Sequence, residues 1–327
     1  MRPSVSVIIP VYNVERYIGE CVRSLFGQTL EEVEFIFVND CTPDRSMDVL
    51  RRVMEDYPQR IPLTRIVDKP RNEGIAAARR SGLEIAAGEY VIHCDSDDWM
   101  EPDMLERMYT EARAHDAGAV VCGMMKDDTP AFSRYTMEGV DCRDFILKDM
   151  VAANEVQSLC RYLVRNDLYS RDIVFPTSDQ GEDRALMLQL VYYSDSVYCI
   201  RDPLYHWRTN AASVTRDPSE EAIMRRFEGD CANTRLEEAF LEGMGDKQRF
   251  TPQLTALKLS SMFDLRPLLR EGEKVDEWRN AFPEIKGKVL CNKYITFTHK
   301  IEYLLNRYCP PCVIRAVYRL RRRPASS

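Results

Sequence analysis

Three carboxylates within four residues, Asp95-Ser96-Asp97-Asp98, follow directly on the apolar run Glu89–Cys94. Crowded at the end of a strand, they raise one another's pKa unless a cation neutralises them. Mg²⁺ and Mn²⁺ favour oxygen ligands and commonly sit between one or two carboxylates and substrate phosphates. An Asp-x-Asp in this place therefore suits a metal–diphosphate. The same residues also fit a solvated acidic turn, with Asp98 capping the helix that Pro102 opens. Asp40 offers a carboxylate to a base N–H, or else an N-cap or Asx-turn. Asp44 is the better cap, because it directly precedes the stripe Met47/Leu50. Tyr12 presents a flat ring for a base or ribose, or for ordinary packing. Arg79 pairs with Glu73 or Glu84, or meets a phosphate if its helix N-terminus faces the ligand. Gly181-Glu182-Asp183 opens a helix, where a carboxylate suits the helix dipole or serves as a general base. Tyr205-His206-Trp207-Arg208, followed by Ser213, reads as a loop able to close over a ligand, with His206 a packed histidine.

These residues need elements to position them. Ser4–Val11 reads as a buried strand. Glu15–Gln28 carries a helical stripe at Tyr17/Ile18, Cys21/Val22 and Leu25/Phe26. Val33–Val38, Leu63–Val67, Glu89–Cys94 and Ala119–Gly123 read as further strands. Asp44–Tyr57, Glu73–Ala87 and a segment from Pro102 to His115 read as the helices between them. Such alternation predicts parallel strands joined by right-handed crossovers, with helices on both faces. Ligands of such sheets sit beyond the carboxyl ends of the strands. The rims there are Pro10-Val11-Tyr12-Asn13, Asn39-Asp40-Cys41-Thr42, Arg71-Asn72-Glu73-Gly74 and the acidic turn. Beyond about residue 125 the alternation decays. Val140–Val164 reads as helical, Gly181–Tyr193 as a helix and Ser196–Ile200 as a strand, with helices from Pro218 onward. A soft boundary near 215 separates an α/β domain, 1–215, from a helical region, 216–327.

In order, SVSVIIPVYN, VNDCTPD, RNEGIAAARRSGL, GEYVIHCDSDDWMEPDML, GED and YHWRTNAASVT resemble the successive motifs of glycosyltransferase family 2. The resemblance covers roughly residues 4–215. It implies a GT-A fold, a Rossmann-like, mainly parallel sheet flanked by helices, here followed by a helical C-terminal region. It also implies inverting transfer from a nucleotide-sugar, expected to be a UDP-sugar, with Mn²⁺ or Mg²⁺. The expected acceptor is a glycan or a lipid-linked glycan in bacterial surface polysaccharide synthesis. Carried over by position, Pro10, Tyr12 and Asp40 match nucleoside contacts. Asn72 and Arg79 match the loop and helix flanking the nucleotide. Asp95, Ser96 and Asp97 match the motif holding ribose and metal–diphosphate, with Asp97 the direct metal ligand beside Asp95. Asp183 matches the catalytic base, and Arg208 a closing-loop residue that steadies the diphosphate. Two departures stand out. Cys41-Thr42 replaces the frequent Gly-Ser, which puts the turn geometry in question. Arg80 replaces a frequent Asn, which does the same for nearby side-chain bonding.

Composition excludes some rivals. The chain has 327 residues, 45% hydrophobic and 30% charged, and a formal net charge of -7, unlike a uniformly basic nucleic-acid binder. No G-x-G-x-x-G follows the first strand, as a dinucleotide dehydrogenase needs. No P-loop motif occurs, nor the glycine- and basic-rich loop of a sugar nucleotidyltransferase. A catalytically degenerate sugar-nucleotide-binding or scaffold protein is the alternative, against which the set Asp40, Asp95, Asp97 and Asp183 argues. The 11 cysteines are expected to be reduced thiols of a cytoplasmic protein. No apolar run reaches the ~20 residues of a membrane span. From Ile285 onward, ten Lys/Arg stand against one acid, Glu302. Tyr294–Tyr308 and Val313–Leu320 set apolar stripes beside these cations. That suits peripheral contact with an anionic membrane on its inner face, or a helical cap with a frayed basic tail. Cys309-Pro310-Pro311-Cys312 has too few ligands for a zinc site.

Overall fold

The computed structural model describes residues 2–127, 129–131, 140–152, 158–209 and 217–321. Ser213 and the tail residues Arg322 and Arg323 lie outside the described residues. The chain divides into two compact units. One holds the described residues of Met1–Leu147, Glu155–Asp179 and Leu186–Ala211. The other holds those of Lys148–Asn154, Gln180–Ala185 and Ala212–Ser327.

The first unit begins with the expected alternation: β1 (Val5–Val11), α1 (Ile18–Phe26), β2 (Val33–Asn39), α2 (Ser46–Glu55), β3 (Thr64–Asp68), α3 (Ile75–Leu83) and β4 (Tyr90–His93). Every residue of β1 is buried, as befits a strand covered on both faces. One side is filled by α1 and α2, through Ile18, Cys21, Met47 and Leu50. On the other, Ile8, Val38 and Val91 meet Ala78 and Leu83 of α3. Gly82 permits that approach, since a Cβ there would lie 2.5 Å from an Ile8 side-chain carbon.

After β4 come β5 (Trp99–Met100), α4 (Met104–Ala114), β6 (Ala119–Lys126), β7 (Thr129–Ala131), α5 (Arg143–Val151), β8 (Tyr162–Arg165), α6 (Glu182–Tyr193) and β9 (Val197–Trp207). The sheet order is β3-β2-β1-β4-β8-β6-β9-β5, with β7 on β6. The first four strands are mutually parallel. The sheet then becomes mixed, because β8 runs antiparallel to both β4 and β6.

Two segments differ from the sequence reading. Val140–Val164, read as helical, contains α5 but ends in β8; a short apolar run such as Tyr162-Leu163-Val164 does not reveal its period. The strand read at Ser196–Ile200 runs on to Trp207. Arg201-Asp202-Pro203 looks like a turn, but the register with β6 shifts around Gly123 and the strand resumes. A Cβ on Gly123 would meet the Arg201 carbonyl at 2.6 Å.

The second unit is helical: α7 (Glu220–Gly243), α8 (Thr251–Met262), α9 (Arg266–Leu269), α10 (Val275–Ala281), α11 (Phe297–Tyr308) and α12 (Pro311–Arg321). It has its own core, around Trp278, Met262, Leu265 and Ile314. Among the described residues, no helix is long and apolar enough to cross a membrane.

Candidate active site

With β2 on one side of β1 and β4, reached from β3, on the other, the strand order reverses direction beside β1. Such a switch point opens a crevice at the carboxyl ends of the strands. Tyr12 follows β1 there, and the acidic turn follows β4.

The turn is held by β9. Trp99 and Met100 pair with His206 and Tyr205. The Tyr205 hydroxyl donates to Asp98 Oδ2 at 2.6 Å and accepts from the Asp95 N–H at 3.2 Å. The Arg208 N–H donates to Asp98 Oδ1 at 2.8 Å. Asp98 is thus the buried anchor, 2% exposed, while Asp95 and Asp97 are half-buried. Burial, then the charges of Asp95 and Asp97, push the Asp98 carboxyl up to about 8. The Trp99 and His206 rings stack with centroids 3.4 Å apart, and His206 bonds Glu101 at 2.8 Å. His206 is a packed residue. The segment Tyr205–Trp207, read as part of a closing loop, is a strand that braces the acidic turn.

Arg79, buried on α3, donates to Asp95 Oδ1 at 2.8 Å. This partner is neither Glu73 nor Glu84, the two that sequence spacing suggested. The start of α3 is filled by carboxylates. Asp40, 3% exposed, accepts from the N–H groups of Glu73 at 3.0 Å and Gly74 at 2.9 Å, with Lys69 Nζ 3.5 Å away. Asp179 accepts from the Ala76 N–H at 3.1 Å. Asn72 Oδ1 accepts from Gly74 at 3.0 Å. Gly74 has φ 89°, and a Cβ there would meet Asp179 at 2.4 Å. Asp40 therefore fixes the loop before α3, while Asp44 accepts from the N–H of Ser46 and of Glu15 near the start of α2.

Tyr12 is 42% exposed. The residues after it are laced to the next loop, through Asn13 N–H to Thr42 at 2.8 Å and Val14 N–H to Ser46 at 3.0 Å. Pro10 lies inside β1, opposite Val38, and Ser96 is buried. The Arg208 guanidinium donates to Glu20 at 2.6 Å and lies over the Tyr17 ring, 5.4 Å from its centroid. Arg80 is exposed, beside Glu84 and over the Phe175 ring.

Asp183 stands in the first turn of α6, among the residues of the second unit. Its neighbour Arg184, which sequence reasoning missed, anchors that turn to α7. Arg184 donates to Asp230 at 2.8 Å, Glu237 at 2.7 Å and Thr234 at 3.1 Å. Asn233 donates to the Gln180 carbonyl at 2.7 Å. Gly181 has φ 74°, and a Cβ there would meet Asp230 at 2.4 Å.

Among the described residues, no three His, Cys, Asp or Glu side chains are grouped to hold an ion by themselves. Asp95 and Asp97 do fit a hard divalent cation that completes its shell from a diphosphate. Their charges crowd Asp98, and that crowding is what a cation would relieve.

Residues 6–172 match the model of the family described as "Glycosyl transferase family 2". The match includes Pro10, Tyr12, Asp40, Asn72, Arg79, Asp95, Ser96 and Asp97, and ends before Asp183 and the segment Tyr205–Arg208. The chain is 32% identical over 233 residues to the uncharacterized glycosyltransferase EpsJ of Bacillus subtilis (strain 168), covering 68% of this chain and 66% of that protein. It is similar in fold to S. aureus TarS 1-349 in complex with UDP, at TM-score 0.70 and 18% identity, over 98% of this chain and 91% of that one. A mannosyltransferase from Pyrobaculum calidifontis, in complex with GDP-Man and Mn²⁺, is also similar, at TM-score 0.55 and 17% identity, over 99% and 89% of the two chains.

Proposed function

The chain belongs to glycosyl transferase family 2, and from that premise we propose that it moves a sugar, with inversion, from a UDP-sugar to a glycan or lipid-linked acceptor in bacterial surface polysaccharide synthesis. The observation that carries the reading is the acidic turn after β4. It is locked from below by Tyr205 and the Arg208 N–H. It offers Asp95 and Asp97 at the switch point of the sheet. The UDP in the TarS complex and the GDP-Man and Mn²⁺ in the mannosyltransferase complex support a nucleotide-sugar donor and a divalent ion.

In this reading Tyr12 lays its exposed ring against the base or ribose. Asp40 acts through the loop it fixes, which places Asn72 and the start of α3 beside the nucleotide. Arg79 orients Asp95. Asp97 and Asp95 hold Mg²⁺ or Mn²⁺, which when bound supplies positive charge against the departing diphosphate. Asp183 takes the proton of an acceptor hydroxyl as that oxygen attacks the anomeric carbon. The bond from that carbon to the diphosphate oxygen breaks on the opposite face, and the electron pair leaves with UDP. The sugar passes through an oxocarbenium-like transition state. One base and no covalent enzyme intermediate suffice, so an α-linked donor gives a β-linked product. The basic C-terminal end faces the membrane that carries a lipid-linked acceptor.

Calorimetric titration with UDP tests the donor site. Binding is expected with Mn²⁺ or Mg²⁺, and to weaken at least tenfold on chelation or in Asp97→Ala. Equal affinity in all three conditions would remove Asp97 from the site.

A further inference from the structure

Helix α11 is built inside out. Its inward face carries Glu302, Tyr303 and Asn306, all buried. Glu302 accepts two bonds from Arg266, at 2.6 and 3.0 Å, and one from the Tyr318 hydroxyl at 2.5 Å. Asn306 donates to Tyr318 at 3.3 Å. The outward face carries Phe297, Ile301, Leu304 and Tyr308, exposed by 78%, 39%, 38% and 59%. Their spacing of i, i+4, i+7 and i+11 puts them on one stripe. A helix that only closes a core keeps such a stripe inward, so this one is left for a partner.

The charges around it select the partner. Lys300 and Arg307 lie on the same helix, and Lys293 is exposed just ahead of it. The one acid from residue 285 onward, Glu302, is turned inward and consumed by Arg266. Among the described residues, Glu271 pairs with Arg315 and Arg319 of α12, but no ion pair offsets Lys293, Lys300 or Arg307. Two copies of the chain meeting on this face would bring cation to cation. A nucleic acid would answer the charge and leave the apolar stripe in water.

We propose that the outward face of α11 docks on an anionic lipid bilayer, its apolar stripe at headgroup depth and its cations on the lipid phosphates. The stripe is the anchor and the cations supply selectivity for anionic lipid. The inference stands apart from the donor site, none of whose residues it uses.

Flotation of the full chain with phosphatidylglycerol-rich vesicles and with phosphatidylcholine vesicles tests it, for the wild type, Leu304→Asp and the pair Lys293→Glu/Lys300→Glu. Lys293 and Leu304 are exposed and Lys300 is half-buried at the surface, and thermal unfolding is expected to be unchanged. The wild type should float with the anionic vesicles. Leu304→Asp should lower its partition roughly tenfold or more, the worth of withdrawing one large apolar side chain. The charge pair should lower binding to anionic vesicles alone, and salt should do the same. Equal flotation of all variants would overturn the proposal. So would a wild type that ignores phosphatidylglycerol, or a dimer in sedimentation that Leu304→Asp dissociates.

Discussion

Cys41 has φ 57°, in the left-handed region, where a Cβ costs roughly 1 kcal/mol. It stands where the family motif often has glycine, so the side chain here is carried in a backbone conformation that favours glycine. Cys41→Gly is expected to stabilise the protein by up to ~1 kcal/mol in urea unfolding, since lost strain outweighs gained unfolded-state freedom; a destabilised variant would refute this. The acidic turn was legible as a cluster, but its division of labour was not. Asp98 serves as the buried anchor because Tyr205 and Arg208 reach it from more than a hundred residues away. The partners of Asp40 and Arg79 were likewise hidden. Glu73 and Gly74 lie about thirty residues beyond Asp40, and Asp95 lies in the turn after β4, a full strand beyond the helix of Arg79.

At the scale of elements, the βαβ half was readable because its strands are short apolar runs, α1 and α2 carry clean apolar stripes and α3 is rich in alanine. The sequence hid β8 and the second half of β9. The former is too short to show a period, and the latter is interrupted by Pro203 at a register shift. The second omission bears on the site, since β9 carries Tyr205. The contact between α3 and the sheet is equally local and testable. Gly82→Ala would set a methyl 2.5 Å from an Ile8 carbon and 3.3 Å from Val38. It is expected to cost roughly 1–3 kcal/mol, as overpacking does, and to loosen Arg79, three residues earlier on the same helix. Thermal unfolding at wild-type temperature would show that the helix has room.

At the scale of the whole molecule, each unit carries a core of its own, and the second also buries charge. Burial, then Asp230, push the Asp264 carboxyl up to about 7 against the pull of Arg184. The unfolded chain releases that proton near pH 4. Between these values the folded protein binds the extra proton, so stability contributed by the group is full at low pH and is lost as pH rises toward 7. Asp264→Asn should flatten that decline by up to ~1.4 kcal/mol per pH unit, read from denaturant midpoints at several pH values. Parallel curves would exclude it.

The central claim is metal-assisted sugar transfer with Asp183 as base. Its most direct measurement is release of nucleoside diphosphate from a panel of nucleotide-sugars, with and without Mn²⁺ or Mg²⁺, by the wild type, Asp97→Ala and Asp183→Asn. The account predicts metal-dependent release from one donor, lost in both variants, with UDP still bound by Asp183→Asn. Turnover by Asp183→Asn at the wild-type rate would contradict it.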